Sequence, residues 1–193
     1  MHGGRRMGPK GSDIWLAMLD AAEVILRDEG YGSLTSRRVA DLVGVKQRLV
    51  YYYFATMEEL IAETFRRLAA RDLERLRNAL ASNHSLREIW DVCVQTTDTR
   101  LVSEFMALAN RVEALSKEVR DYIEASRTMQ VEALSAAIEA RGLENSLPPI
   151  AAAIFASSAA LTVHREAEIG LKSGHAEVMA VIDAFIARLD PVE

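Results

Sequence analysis

The amino-acid sequence predicts an all-α protein, with a three-helix head that contains a helix-turn-helix and a body of six further helices. Apolar residues recur at three- and four-residue spacing along most of the 193 residues, which is the period of an amphipathic helix. The alternating pattern of a β-strand is absent, and Gly, Ser or Pro residues separate the helical segments. Residues 13–55 are expected to form the head, and residues 56–193 the body.

The helix-turn-helix is predicted from residues 35–54, TSRRVADLVGVKQRLVYYYF. Thr35 is suited to cap a first helix, because its hydroxyl can accept a backbone N–H that the first turn leaves unpaired. Gly44 ends that helix where a left-handed backbone is needed, since glycine adopts a positive φ without steric cost. Ala40 is small enough for a second helix to cross close by. A small residue, three spacers, Gly and a β-branched apolar residue are typical of a helix-turn-helix.

The second helix of this motif, residues 46–53, carries side chains suited to a polar, extended partner. Lys46, Gln47 and Arg48 supply N–H donors at its N-terminal end, and three consecutive tyrosines, residues 51–53, occupy its C-terminal end. Phosphates and base edges of a nucleic acid fit that combination. The alternative from the residues alone is an ordinary helical hairpin whose tyrosines are half-buried in a core.

These residues and their flanks resemble the DNA-binding head of the tetracycline-repressor (TetR) family. The resemblance extends from about Ile14 to Leu60 and includes AAEVILRDEGYGSLT, the Ala-Gly-Val turn, the Tyr-rich helix and the Glu-Glu-Leu beginning of the next helix. It implies a transcriptional regulator that binds double-stranded operator DNA. Two residues depart from the family's pattern: Lys46 stands where Ser or Thr usually caps the recognition helix, and Met57 stands where a lysine usually begins the fourth helix.

DNA contacts are expected from ten residues of the head and its C-terminal flank. Gln47 and Arg48 are expected to read base edges, because Gln can pair with adenine and Arg with guanine through two hydrogen bonds. The resemblance places Arg37 at the groove, and Tyr53 and Thr56 at phosphates. The full set is Thr35, Ser36, Arg37, Lys46, Gln47, Arg48, Tyr51, Tyr52, Tyr53 and Thr56.

The remaining helices are predicted from apolar periodicity and from capping residues. Gly30 should end the first helix, Ser85 and Glu88 form a capping box for the fifth, and Pro148-Pro149 suits a helix beginning. Arginines interleaved with acidic residues predict that the fourth helix is a solvated, salt-bridged connector. The expected ranges are 13–29, 56–81, 85–97, 101–115, 116–141, 150–172 and 176–189.

Charge is unevenly divided along the chain. The chain has 23 Lys and Arg and 28 Asp and Glu residues, a net charge of −5. Residues 1–54 contain 8 of the basic and 6 of the acidic residues, so this part of the chain is mildly basic. An acidic body would help to orient the basic head on a polyanion. Residues 1–12, with Arg5, Arg6 and Lys10, form either a passive tail or an arm that lies along phosphates or in a minor groove.

Several classes of protein are disfavoured by the sequence. No run of apolar residues approaches the 18 of a membrane span, and the N-terminus lacks the apolar segment of a secretory signal. The single cysteine, Cys93, excludes an internal disulfide and suits a reducing cytoplasm, where a packed core thiol is expected. No nucleophile motif, phosphate-binding glycine loop or paired-carboxylate arrangement is present, so neither catalysis nor a cofactor is predicted.

The last two predicted helices are apolar on more than one face, which indicates burial on two sides. They form either the centre of a core or a core face and a subunit face; the resemblance implies the second, a homodimer in which these helices pair into a four-helix bundle. His164 and Glu168 lie four residues apart, but no third ligand has a suitable spacing, so no metal site is predicted.

The resemblance also implies a pocket in the body for a small hydrophobic effector, and aromatic and methionine side chains suit its lining. The expected function is a cytoplasmic repressor released from its operator by that effector, residues 13–55 binding DNA and residues 56–193 binding ligand and dimerising. Two alternatives are an activator with the same head, and an all-helical carrier or enzyme with an incidental hairpin. The expected pocket lining is Trp90, Val94, Phe105, Met106, Tyr122, Met129, Phe155 and His164.

Overall fold

The computed structural model describes residues 9–95, 99–142 and 147–191 of the chain. Nine α-helices occur in these described residues, with one 3₁₀ turn and no strand, which confirms the predicted all-α fold. The elements are α1 (Asp13–Asp28), the 3₁₀ turn (Tyr31–Ser33), α2 (Ser36–Val43), α3 (Gln47–Tyr53), α4 (Met57–Leu80), α5 (Ser85–Gln95), α6 (Thr99–Ala109), α7 (Glu113–Ala140), α8 (Pro149–Glu168) and α9 (His175–Leu189).

The chain forms two compact units. The first comprises Met1–Ala69 with Arg100–Arg120, and the second comprises Ala70–Thr99 with Asp121–Glu193. The three-helix head therefore shares a unit with the first part of α4 and with α6. Because α4 and α7 each cross a boundary between the two ranges, each of these helices contributes residues to both units.

The core of the first unit is built on one face of α1. Ser12 caps this helix, its hydroxyl accepting the backbone N–H of Trp15 at 3.4 Å. Side chains at helical spacing along α1 are fully buried, as are the apolar residues that α2, α3 and α4 turn inward. The indole of Trp15 stacks on Phe54 with ring centroids 6.0 Å apart. The largest buried side chains are Met18, Leu19, Ile25, Leu26, Val39, Val50, Phe54, Leu60, Ile61 and Leu115.

The first half of α4 forms both core contacts and ion pairs. Arg66 donates to Glu118 at 2.7 Å and also pairs with Glu63, which in turn pairs with Lys10. Burial opposes ionisation of Glu63, but its hydrogen bonds to Lys10 and Arg66 outweigh that effect and hold its pKa below the usual value. The predicted salt bridges are present. The prediction of a solvated helix missed its buried face, where Thr64 and Leu60 are fully buried.

The core of the second unit lies among α5, α7, α8 and α9. It comprises Leu86, Trp90, Leu134, Ala152, Ala153, Ala160, Ile186 and Leu189. The end of α9 is joined to the beginning of α5 through Asp190, whose carboxylate accepts the backbone N–H of Arg87 at 3.1 Å and lies 3.0 Å from Nδ1 of His84. A carboxylate at this position accepts an otherwise unpaired N–H of the first turn of α5, and its negative charge interacts favourably with the positive end of the helix dipole.

Two helix boundaries differ from the sequence-based expectation. The break between α6 and α7 lies between Ala109 and Glu113 rather than after residue 115. Ser116, where a helix was expected to begin, lies inside α7, and its hydroxyl accepts a hydrogen bond from Arg120 one turn later at 2.9 Å. A serine at the start of a predicted segment can therefore bond to a side chain instead of capping the helix.

The second difference is the end of α8, which lies at Glu168 rather than residue 172. Gly170 has a φ of 85°, which only glycine adopts without steric cost. The N–H of Leu171 then bonds back to the carbonyl of Glu166 at 3.0 Å, as in a Schellman motif. None of the helices in the described part of the chain combines the length and apolar content needed to cross a membrane.

Candidate nucleic-acid interface and cavity

The turn between α2 and α3 has the geometry that its sequence predicts. The hydroxyl of Thr35 accepts the backbone N–H of Arg38 at 3.1 Å, and so caps α2. Gly44 has a φ of 76°, and the N–H of Val45 bonds to the carbonyl of Ala40 at 2.9 Å. Ala40 is 1% exposed, which shows that the small residue lies at the contact between the two helices.

The beginning of α3 lacks a side-chain cap. Lys46 occupies the capping position and makes no hydrogen bond to the helix, because an ammonium group has no acceptor. Lys46 and Arg48 are exposed, and neither forms an ion pair with another described residue. The side chain of Arg37 is 83% exposed, and its contact with Asp41 is as long as 4.0 Å. Three cationic side chains are therefore available to a partner.

A chain of hydrogen bonds joins α2 to α3. The amide nitrogen of Gln47 donates to the hydroxyl of Ser36 at 2.8 Å, and that hydroxyl lies 3.1 Å from the phenolic oxygen of Tyr51. Ser36 is buried, so its hydroxyl serves these two side chains rather than solvent. Gln47 and Tyr51, two of the ten predicted contact residues, are thus linked within the head through Ser36, a third. The sequence pattern did not reveal this link.

The ten predicted contact residues differ in accessibility. Ser36 and Tyr53 are buried, and the other eight are exposed. The ring of Tyr52 lies edge-on to that of Tyr53, with centroids 5.3 Å apart. Thr56 caps α4, its hydroxyl accepting the N–H of Glu59 at 3.1 Å, and the Glu59 carboxylate accepts the N–H of Ala55 at 2.7 Å. The sequence Thr-Met-Glu-Glu is the signal of this capping box.

The second unit contains a cavity of about 560 Å³ whose wall comes from α5, α7, α8 and α9. Among the predicted pocket residues, Trp90 and Phe155 line it and the others do not. Phe105 belongs to the first unit, where its ring packs against Phe65 at 5.1 Å. The hydroxyl of Tyr122 donates to Asp72 at 2.5 Å. Val94 and Met129 pack in core clusters, Met106 is exposed and His164 is half-buried.

The polar groups of the cavity wall are few. They come from Cys93, Gln130, Ser157 and Glu177. The amide nitrogen of Gln130 donates to the hydroxyl of Ser126 at 3.1 Å and lies 3.7 Å from the sulfur of Cys93. Burial, with a smaller contribution from the negative charge of Asp72, raises the pKa of the Cys93 thiol to about 12. The thiol is therefore neutral and unreactive near pH 7.

The described residues contain no group of three His, Cys, Asp or Glu side chains that could hold a metal ion. Comparison with known proteins identifies the head. Residues 18–64 match the family model described as bacterial regulatory proteins, tetR family. Over this segment the chain is similar to the TetR family. The matched TetR segment extends from the middle of α1, through the helix-turn-helix, into the first two turns of α4, and so includes all ten predicted contact residues.

Solved structures of other proteins share the fold over nearly the whole chain. A TetR transcription regulator from Haloarcula marismortui has a TM-score of 0.75 at 20% identity, with 91% of this chain and 97% of that chain covered. The reduced form of NemR from E. coli gives 0.76 at 18% identity, covering 90% and 97%. A transcriptional regulator from Rhodococcus gives 0.71 at 16% identity, covering 94% and 100%. No curated protein matches the chain significantly.

Proposed function

We propose that this protein is a TetR-family homodimeric repressor that binds operator DNA through residues 13–55 and is released by a small hydrophobic ligand held in residues 56–193. The observation that carries the proposal is the exposed face of the helix-turn-helix. Arg37, Lys46 and Arg48 are accessible there without strong internal ion pairs, beside the exposed rings of Tyr51 and Tyr52. Cations supply affinity for phosphates, and Arg can also read guanine.

Within this face, contacts to base edges and contacts to the phosphate backbone are assigned to different residues. Arg48 is assigned to base edges, because it lies in the first turn of α3 and has no internal partner among the described residues. Lys46 is assigned to phosphate, since an ammonium group acts as a point charge. Thr35, Tyr52 and Thr56 are exposed at helix ends or on α3 and are assigned to backbone contacts. Lys10 is paired with Glu63, and Arg5 and Arg6 lie outside the described residues.

Dimerisation through α8 and α9 is supported by apolar side chains that their own unit leaves uncovered. Phe155 is 64% exposed and Ile150 51% on α8, and Val181 is 70% exposed on α9. Exposed apolar side chains of this kind favour association. A two-fold dimer would present two recognition helices, which must lie about one helical turn of DNA apart, roughly 34–36 Å, to enter successive major grooves.

Effector binding is supported by the cavity. Its volume of about 560 Å³ lies within the roughly 300–1,000 Å³ of small-molecule sites, and its wall is almost wholly apolar. Trp90 and Phe155 are assigned to ligand contact. Since α4 is one continuous helix with residues in both units, we assign to it the coupling of ligand binding to the head. A coupling of about 1–3 kcal/mol would lower operator affinity by roughly 5- to 150-fold.

The deciding experiment is a DNA-binding titration across salt concentration, using duplexes from the region flanking the protein's own gene. Lys46→Ala should lower affinity for every sequence and reduce the salt slope by about one unit per subunit, because one phosphate contact is lost. Arg77→Ala is the matched control: Arg77 is an exposed cation that pairs with Glu74 on α4, and its removal should leave the slope unchanged. A folded protein that binds no duplex in a salt-sensitive way would favour the carrier or enzyme alternative.

A transcription assay separates the repressor from the activator. A reporter driven by the bound region should be silenced by the protein and induced when the ligand is added. Loss of transcription on deleting the protein's gene would instead show activation.

A further inference from the structure

The cavity of the second unit has an apolar wall with very few charged groups; it is open at the exposed side chains of Phe155 and Val181 and buried at its inner end. Trp90, Leu134, Ala153 and Ile186 line it and are each less than 9% exposed, so the cavity reaches the core. No Lys, Arg or His side chain is among the described lining residues, and the only carboxylate is that of Glu177, an exposed residue in the first turn of α9. A ligand carboxylate would find no cation in this wall.

Gln130 is the polar group best placed to orient a ligand. Its amide nitrogen is directed at Ser126 and Cys93, and its amide oxygen has no hydrogen-bond donor among the described residues. The hydroxyl of Ser157, by contrast, already donates to the carbonyl of Ala153 one turn earlier. The neutral Cys93 thiol adds no charge to this part of the wall. The amide oxygen of Gln130 is therefore an uncharged, unfilled acceptor in a mostly apolar wall, whose carboxylate acceptor is that of the exposed Glu177.

We propose that this cavity binds an uncharged, largely apolar molecule that bears one hydrogen-bond donor directed at the amide oxygen of Gln130, and that it rejects carboxylates of the same shape. The inference rests on the proposed effector function and names the chemical class of its ligand. Discrimination against a carboxylate follows because burying an unpaired charge is far more costly than burying a neutral group. The carboxylate of Glu177 would add repulsion at the same wall.

Three pyrene compounds of similar shape test the proposal: 1-pyrenemethanol, 1-ethylpyrene and 1-pyrenecarboxylate. Each is titrated into the full-length, DNA-free protein, and the dissociation constant is measured by calorimetry or by pyrene emission. The alcohol should bind about fivefold more tightly than the ethyl compound, the usual net effect of one hydrogen bond. The carboxylate should bind roughly 100-fold more weakly than the alcohol.

Substitution of Gln130 separates a ligand contact from a packing role. Gln130→Leu should abolish the preference for the alcohol over the ethyl compound while leaving the affinity for the ethyl compound nearly unchanged. Gln130→Met serves the same purpose if the branched side chain destabilises α7. Asn78→Leu is the matched control: that exposed amide lies on α4 and does not line the cavity, so its loss should leave all three affinities unchanged.

Three outcomes would overturn the proposal. A preference for the alcohol that survives in both folded Gln130 variants would show that another group orients the ligand. Equal binding of carboxylate and alcohol would show that the cavity does not select against anions. Failure of all three compounds to bind the folded protein would show that the cavity is not a small-molecule site. Operator binding is measured separately without any pyrene compound, so a failure of the DNA-binding function is distinguishable from each of these results.

Discussion

The side-chain amide of Gln47 donates to the hydroxyl of Ser36 at 2.8 Å, across the contact between α3 and α2. This bond, with the one between Ser36 and Tyr51, holds two side chains of the recognition helix against the preceding helix. Ser36 therefore acts as a positioning residue, because its own hydroxyl is buried. Arg48 has no such constraint among the described residues and is free to turn toward a base.

The first prediction separates positioning from base readout. Arg48→Ala should relax preference at one base pair of each half-site, since a bidentate contact discriminates by about 1–3 kcal/mol. Ser36→Ala should weaken binding to all sequences alike if the Gln47 amide is held by Ser36 and does not read a base, because the change then loosens Gln47 and Tyr51 without removing a base contact. Affinities for an operator and its single-base variants, measured at one salt concentration, give the comparison. A change of preferred base in Ser36→Ala, with a uniform loss in Arg48→Ala, would reverse these assignments.

The second prediction concerns Gly44, whose φ is 76° and around which a Cβ would meet no atom within 4 Å. Gly44→Ala should therefore destabilise the head through backbone strain alone, by about 1–2 kcal/mol. Gly32→Ala is the matched control, because Gly32 has equal space and no positive φ; it should change stability by less than about 0.5 kcal/mol.

The measurement for both glycine variants is urea unfolding in a Trp90→Phe background. The chain has two tryptophans, so Trp15 is then the only one that remains. Its fluorescence reports on the first unit, where it stacks on Phe54. Equal destabilisation by the two variants would show that the left-handed conformation of Gly44 is not what limits stability.

The head was predictable because its sequence signals are local. Thr35, Ala40 and Gly44 act through backbone geometry within a few residues, so their spacing alone determines the turn. The cavity was much less predictable, since aromatic and methionine residues line a core as readily as a pocket. Phe105 illustrates the difficulty: its type suited a ligand site, but it belongs to the first unit and packs against Phe65.

The orientation of α9 shows the same limit. Its sequence is apolar on several faces, so periodicity could not distinguish a core side from an exposed side. In the structure Ile186 and Leu189 are buried, whereas Val178 and Val181 are exposed. Gln130 was not singled out from the sequence, because a lone glutamine on a helix does not indicate a binding site. It became a candidate ligand contact only through its position beside Cys93 in the cavity wall.

The third prediction follows from the exposed side of α9. Val181→Glu should shift the proposed dimer toward monomer, because a carboxylate would enter an apolar interface, while the fold should be retained since Val181 is 70% exposed. Met106→Glu is the matched control: it places the same charge at an exposed apolar residue of α6 and should leave the oligomeric state unchanged. Sedimentation at micromolar concentration measures both. A monomeric wild-type protein would contradict the dimer.

The fourth prediction uses the partly buried hydrogen bond between Tyr122 and Asp72. Burial, the negative charge of Asp72 and the hydrogen bond to it raise the pKa of Tyr122 well above its usual 10.0. Because the pKa of Tyr122 is raised in the folded state, the contribution of its hydrogen bond to the stability of the fold is complete below pH 10. That contribution is lost above pH 10, because only the unfolded phenol then ionises. Tyr122→Phe should be less stable at pH 7 by about 1.5–3 kcal/mol, the range for a hydrogen bond to a charged group.

That difference between the wild-type protein and Tyr122→Phe should shrink as pH rises from 10 to 11, by up to about 1.4 kcal/mol. Urea unfolding of both proteins at pH 8, 10 and 11 measures it. Parallel pH profiles for the wild-type protein and Tyr122→Phe would mean that the phenol ionises as readily in the folded state as in the unfolded chain, and that the bond to Asp72 opens.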